Sequence, residues 1–132
     1  MFYSSEILAL FSGLISGVIL FQSVIIAPTV FKVLEGDKAG IFLRRVFPRF
    51  FMLIIVCSVS MLILIALSGG SDKARFMLPV ANLLFSGTSY LVIPSANRAK
   101  DDGEEKKFKI LHSITVALTL LMLILNITWW LF

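Results

Sequence analysis

The sequence is poor in the residues that build soluble catalytic or disulfide-bonded domains. It holds one cysteine and one histidine, and Asp, Glu, Lys and Arg together make up 15% of its 132 residues. The lone cysteine, Cys57, excludes an intramolecular disulfide and a cysteine metal cluster. The sequence also contains no glycine-rich phosphate loop, HExxH motif or nucleophile triad. We therefore predict no catalytic residue, no metal site and no cofactor, and we expect a protein that is not an enzyme.

Charge is absent from four long stretches of the chain. Hydrophobic residues make up 58% of the sequence, and no Asp, Glu, Lys or Arg occurs in residues 7–31, 50–71, 76–97 and 110–132. Each stretch is longer than the roughly 20 helical residues that cross a hydrocarbon core. The pattern predicts an all-α integral membrane protein, an antiparallel four-helix bundle forming one domain over residues 1–132. The expected membrane spans are residues 5–30, 48–69, 75–96 and 108–130.

The basic residues are distributed unequally between the two ends of this bundle. The connectors 32–49 and 98–109 hold five Lys or Arg residues each, whereas the turn between spans two and three holds only Lys73 and Arg75. Because cytoplasmic loops carry an excess of Lys and Arg, we expect both long connectors in the cytoplasm and both termini outside. The predicted location is a cell membrane, the inner membrane if the source is bacterial. Anionic lipid headgroups are then the expected partners, and nucleic acid is not.

The first connector is amphipathic, unlike the uniformly apolar spans. Asp37 is expected to cap a short helix whose apolar face is formed by Ala39, Phe42, Leu43 and Val46. Such a helix would lie in the membrane interface. Four basic residues would then contact lipid headgroups: Lys38, Arg44, Arg45 and Arg49. The alternative is a cationic connector that only sets the topology.

Each span carries a polar residue near the middle of the membrane. Counted from the first charge of the long connectors, these residues lie about 15 Å deep at 1.5 Å rise per residue. They are Gln22, Ser60, Ser89 and Thr119, and a second layer nearer the termini contains Asn82 and Asn126. The two layers could line a polar cavity. Alternatively they hold the helices together, because Ser and Thr often bond their own backbone and Asn or Gln a neighbouring helix. The sequence favours this structural interpretation.

The only histidine, His112, lies just inside the charged edge of span four. It could exchange protons or ligate a haem, and is in that sense the one candidate for cofactor binding. The interpretation we favour is an interfacial histidine bonded to a backbone carbonyl or a headgroup.

Small residues recur at four-residue spacing in span one, where Gly13 and Gly17 form a GxxxG motif beside Ser12 and Ser16. Such residues let another helix approach closely. We expect the glycines to pack against a neighbouring helix of the same chain. The alternatives are a second copy in a homo-oligomer and a partner membrane protein.

Several short motifs, taken in order, resemble the transmembrane protein 205-like family of small four-helix membrane proteins. They are Ala27-Pro28-Thr-Val-Phe31, Ala39-Gly40, Phe47, Pro94 and Phe108-Lys-Ile-Leu111-His112-Ser113-Ile-Thr115. The resemblance covers nearly the whole chain, and its motif positions here are Pro28, Phe31, Ala39, Gly40, Pro94, Leu111 and His112. It implies a four-helix bundle in a cell membrane without an established enzymatic activity.

Three hypotheses for the function follow. The first is a non-enzymatic structural or accessory membrane component. The second is a small-solute or metal transporter that uses the mid-membrane polar layer. The third, weaker, is a haem-linked membrane oxidoreductase that uses His112. A cavity that reaches Gln22 would favour the second, and a tightly packed bundle would favour the first.

Overall fold

The chain folds into four long helical spans. The computed structural model describes residues 4–69 and 73–131, in which no strand occurs. Span one consists of α1 (Ser4–Leu20), a π-helical segment (Phe21–Ile26) and α2 (Ala27–Val33); spans two to four are α3 (Asp37–Leu67), α4 (Met77–Asp101) and α5 (Glu105–Thr128). Short 3-10 turns, Lys73–Phe76 and Trp129–Leu131, precede α4 and follow α5. All four spans are long and apolar enough to cross a membrane. The predicted all-α membrane bundle is confirmed.

The spans form a ring in chain order. Span one packs against α3 and α5, α3 packs against α4, and α4 packs against α5. Two short loops, at residues 34–36 and 102–104, lie at one end of the bundle, which we call the connector side. The opposite end holds the beginnings of α1 and α4 and the ends of α3 and α5, and we call it the terminal side. Gly36 and Gly103 have φ angles of 45° and 72°, a region that favours glycine, so each allows its loop to reverse the chain tightly.

Packing is much tighter on the terminal side than on the connector side. The least exposed large side chains include Ile15, Ile19, Met61, Ile65 and Met122, all in the terminal half or near the middle. Within the described part of α5 only Met122 and Asn126 are buried. The connector half of α5 therefore contributes no buried residue to the core. Because the outward faces carry exposed Leu, Ile, Val and Phe side chains, lipid is their natural solvent.

The segment expected to form a separate interfacial helix is instead the beginning of span two. The α3 helix runs without interruption from Asp37 to Leu67, with Pro48 inside it. Its N-cap is Gly36, and Asp37 lies in the first turn rather than at the cap. A helix of 31 residues is about 46 Å long, more than the roughly 30 Å of a hydrocarbon core. The first turns of α3 therefore extend beyond the core as part of one continuous rod.

The expected packing of Gly13 and Gly17 within the chain does not occur. Both glycines are exposed, and a Cβ built on either would meet no described atom within 4 Å. The neighbouring Ser12 and Ser16 are buried instead, at 1% and 9% exposure. One residue turns a helix by about 100°, so the serines face the bundle and the glycines face away from it. Contact of the glycines with a second copy stays a prediction.

Candidate solute-binding cavity

A large cavity occupies the loosely packed connector half of the bundle. Its volume is about 1120 Å³, and its walls come from span one, α3, α4 and α5. It begins between the two short loops, where Gly36 and Asp101 lie, and it extends to Gln22 on the π-helical segment and Leu120 on α5. Typical small-molecule pockets measure about 300–1,000 Å³. The cavity therefore has room for a molecule of that size.

The π-helical segment places Gln22 on the cavity wall. Pro28 has no N–H with which to bond the carbonyl of Val24, so an ordinary α-helical turn loses a hydrogen bond there. The backbone N–H of Ala27 bonds instead to the carbonyl of Gln22, five residues earlier. This wider turn changes the rotation of α2 relative to α1, and α2 packs against α3. Single π turns of this kind are frequent at functional sites.

Gln22 is the most unusual side chain of the cavity. It is 6% exposed, and its amide nitrogen Nε2 is buried without a hydrogen-bond partner among the described residues. An unsatisfied buried donor costs about 1–3 kcal/mol. The terminal amide torsion of Gln is broad, so the nitrogen can turn towards the cavity at little cost. Gln22 can therefore donate a hydrogen bond to a bound molecule.

Two threonines of α5 line the same cavity as Gln22. The hydroxyl of Thr119 donates to the carbonyl of Thr115 at 2.7 Å, and that of Thr115 donates to the carbonyl of His112 at 2.8 Å. Both hydroxyl protons are thus used within the helix. The oxygen atoms keep lone pairs, so each threonine can accept a hydrogen bond from a ligand.

The predicted mid-membrane layer divides into two groups. Gln22 and Thr119 lie on the cavity wall, whereas Ser60 and Ser89 do not. Ser60 is half-buried, and Ser89 is fully buried with a hydroxyl that has no partner among the described residues. Equal depth in the membrane did not bring all four residues to one site, because depth leaves the direction around the helix axis undetermined.

The second predicted layer closes the terminal half of the bundle. The amide nitrogen Nδ2 of Asn126 donates to Oδ1 of Asn82 at 2.7 Å, and Nδ2 of Asn82 donates to Oδ1 of Asn126 at 3.1 Å. Asn126 also bonds the carbonyl of Met122. Both asparagines are buried and neither lines the cavity. This layer holds α4 and α5 together.

An ion pair spans the mouth of the cavity between α3 and α4. Arg44 bonds both carboxylate oxygens of Asp101, with Nη1–Oδ2 and Nη2–Oδ1 distances of 2.9 and 2.5 Å. Arg44 was expected to contact lipid headgroups, but its guanidinium is occupied within the chain. Of the other predicted headgroup residues, Arg49 donates to the carbonyl of Arg45 at 2.8 Å, and Lys38 is exposed. This pairing was not predicted, because the two residues lie 57 positions apart in the sequence.

His112 lies on the cavity wall next to a stacked phenylalanine. Its ring is nearly parallel to that of Phe108, with 5.6 Å between ring centroids. The ammonium of Lys100 lies 4.9 Å from the centroid of the same phenylalanine ring. This arrangement gives the mouth a cationic and aromatic side. Within the part of the chain that the structure describes, no three His, Cys, Asp or Glu residues are placed to hold a metal ion.

A cluster of three phenylalanines forms the wall provided by α3. Phe50 packs edge-on against Phe51 at 4.9 Å, and Phe47 lies 6.5 Å from each of them. All three line the cavity. The cluster was not predicted, because every span is rich in apolar residues.

The positions that carry the family resemblance are divided between the cavity and other surfaces. Phe31, Gly40 and His112 line the cavity, and Ala39 is buried. Leu111 is half-buried, while Pro28 and Pro94 are exposed.

The fold and cavity define a four-span helical membrane protein with a partly open cavity in its connector half. Residues 10–105 match the model of a family described as a domain of unknown function, DUF4149, and the chain belongs to that family. A protein of Aquifex aeolicus (strain VF5), described as "Uncharacterized protein", is 34% identical over 123 residues, which cover 92% of this chain and 86% of that relative. No solved structure matches the chain.

Proposed function

We propose that this membrane protein binds a small solute in the cavity and transports it. The observation that carries the proposal is the cavity of about 1120 Å³ that reaches the buried, unpartnered amide of Gln22. A purely structural component has no need of such a cavity. Among the described residues Ser12, Ser16, Gln22 and Ser89 have a buried polar atom without a partner, and of these four Gln22 alone lines the cavity. The transporter hypothesis is therefore favoured over the structural one. We expect the activity to be non-enzymatic.

The direction of access follows from the distribution of charge. Ten of the twelve Lys and Arg residues lie in the two long connectors. By the positive-inside rule the connector side faces the cytoplasm, so the cavity opens to the cytoplasm. The packed terminal half, closed by the Asn82–Asn126 pair, then separates the cavity from the outside. Transport requires this half to open in a second conformation.

Assignment to the transmembrane protein 205-like family is part of the proposal. It rests on the motif order quoted from the sequence. The haem hypothesis has a simple test. Protein that is supplemented with haem and then freed of unbound haem should show no Soret band, and a Soret band lost in His112→Ala would revive that hypothesis.

Sided labelling of one cavity residue tests the proposal. In a Cys57→Ala background, Thr119→Cys in sealed vesicles should react with a neutral methanethiosulfonate added on the connector side, while impermeant glutathione on the terminal side scavenges reagent that crosses the membrane. Slower reaction from the terminal side would report the second conformation that transport needs. Ser58→Cys is the matched control, because Ser58 is fully buried, is bonded to its own helix and does not line the cavity. If Thr119→Cys is as inert as Ser58→Cys from both sides, no solute reaches the cavity.

A further inference from the structure

The depth at which charges occur along the cavity restricts what can bind. Its charged lining residues are Asp37, Arg44, Lys100 and Asp101, all at the connector end of their helices. Two are acidic and two are basic, and Arg44 and Asp101 neutralise each other. Deeper in the cavity no charged residue lines the wall. Since an ion in a membrane interior needs a counter-charge or polar cage, the deep end suits an uncharged group.

The polar groups of the deep end specify hydrogen bonding. Gln22 has an unused N–H donor, and the hydroxyl protons of Thr115 and Thr119 are engaged within α5. A ligand that satisfies Gln22 must present an acceptor such as a carbonyl, ether or hydroxyl oxygen. A lipid acyl chain has no acceptor along its length and would leave the amide unsatisfied. Occupation by acyl chains alone is thus disfavoured.

The cavity walls favour a ligand whose body is apolar and largely aromatic. The cluster of Phe47, Phe50 and Phe51 lines one side, and Val116 and Leu120 line the opposite side on α5. Aromatic rings that stack or meet edge to face gain stability beyond that of their buried area. The cavity volume exceeds that of any single ion or water molecule many times.

We propose that the cavity binds an uncharged, lipophilic molecule of drug-like size, whose inner end carries an oxygen acceptor for the Gln22 amide. This inference rests on the proposed function and names its substrate class, and it excludes metal ions and other inorganic ions as the transported solute. The aromatic body of the ligand lies against Phe47, Phe50 and Phe51. Its more polar end can lie at the mouth.

Benzophenone is a suitable probe because it is neutral, aromatic and carries one carbonyl, which inserts into nearby C–H bonds on irradiation. In phosphatidylcholine nanodiscs it should label residues around Gln22, Thr119 and Leu120 in a saturable way. Gln22→Leu should weaken saturable labelling about 2- to 10-fold, as expected for one lost hydrogen bond. Thr88→Val should leave it unchanged, because Thr88 is exposed and does not line the cavity. The anionic 4-benzoylbenzoate should not label the deep residues.

A second variant tests the site if Gln22→Leu fails to fold. Val116→Trp fills the cavity from a half-open wall position, so it should abolish saturable labelling. Val80→Trp is its control, since Val80 has a similar exposure of 41%, against 43% for Val116, but lies outside the cavity lining. Three results would each overturn the inference: labelling that never saturates and falls equally on lipid-facing Leu10 and Leu84, labelling that Val116→Trp leaves intact, or deep labelling by the anion. If the thiol reagent still reacts with Thr119→Cys from the connector side, any of these three results refutes the proposed ligand class but not the existence of a solute cavity.

Discussion

Arg44 and Asp101 are 57 positions apart in sequence and form a two-point ion pair that joins the beginning of α3 to the end of α4. The pair lies where the cavity opens, and both side chains are partly exposed, at 36% and 57%. A bidentate ion pair fixes the relative orientation of its two side chains in addition to attracting them. It therefore holds the two helices at a defined separation across the mouth.

Reversing one charge of this pair should destabilise the bundle slightly, and reversing both should restore it. Asp101→Arg places two guanidinium groups together, whereas Arg44→Asp combined with Asp101→Arg rebuilds the attraction in the opposite sense. We expect a small fall in melting temperature for the single variant at low salt, largely removed at high salt because exposed pairs are screened. Thermal unfolding in detergent measures the melting temperature, and Arg45→Asp is the control because Arg45 is exposed. A double variant no more stable than the single one would show that the pair is incidental.

The Asn82–Asn126 pair should be the main polar contact holding the terminal half together. Asn126→Leu removes two mutual hydrogen bonds and leaves Asn82 buried without them. We expect a loss of about 0.6–2 kcal/mol in the free energy of unfolding, the range of interhelical hydrogen bonds in membranes. A double-mutant cycle with Asn82→Leu isolates the coupling of the two residues. Strictly additive effects would mean that the pair contributes nothing as a unit.

The exposed glycine face of α1 should tolerate a large side chain, and the serine face beside it should not. Gly17→Leu meets open space, so monomer stability should be unchanged or should rise by up to about 1 kcal/mol through helix propensity. Ser16→Leu, one residue away, places the same side chain against the bundle and should cost about 1–3 kcal/mol. Unfolding in detergent compares the two. A marked loss in Gly17→Leu, together with a smaller particle in solution, would show that Gly17 faces a second copy.

The topology can be tested with two single cysteines in a Cys57→Ala background. Ser71→Cys, which lies outside the described residues, should be labelled from outside the cell by an impermeant thiol reagent. Asp102→Cys in the exposed α4–α5 loop should be labelled only from the cytoplasm; Gly103 is avoided because its positive φ disfavours a side chain. The reverse pattern would invert the orientation and turn the cavity outward.

The fold could be predicted from the sequence because charge-free runs and short charged loops permit little else than a helical bundle. The cavity could not be predicted from the sequence. Its lining depends on the direction of side chains around each helix and includes Gln22 on the π-helical segment, and apolar content alone shows neither. The available signal for the π-helical segment was Pro28, which lacks the N–H that would bond the carbonyl of Val24.

The direction in which side chains point around each helix also could not be predicted from the sequence. Depth placed Gln22, Ser60, Ser89 and Thr119 at one level, but only Gln22 and Thr119 reach the cavity. Likewise the GxxxG spacing indicated a close contact, while the neighbouring serines occupy the buried face. Spans that are apolar on every side lack the polar face that normally reveals orientation in soluble helices.

The most direct test of the solute cavity is a reactivity profile along α5. In a Cys57→Ala background, single cysteines replace Thr115, Thr119, Met122 and Asn126, and each is treated with neutral iodoacetamide in lipid nanodiscs. Thr115 and Thr119 line the cavity, whereas Met122 and Asn126 are buried in the terminal half. The proposal predicts ready alkylation at the first two positions and reaction at the last two only after unfolding in SDS. Four equally inert cysteines, all alkylated in SDS, would contradict it.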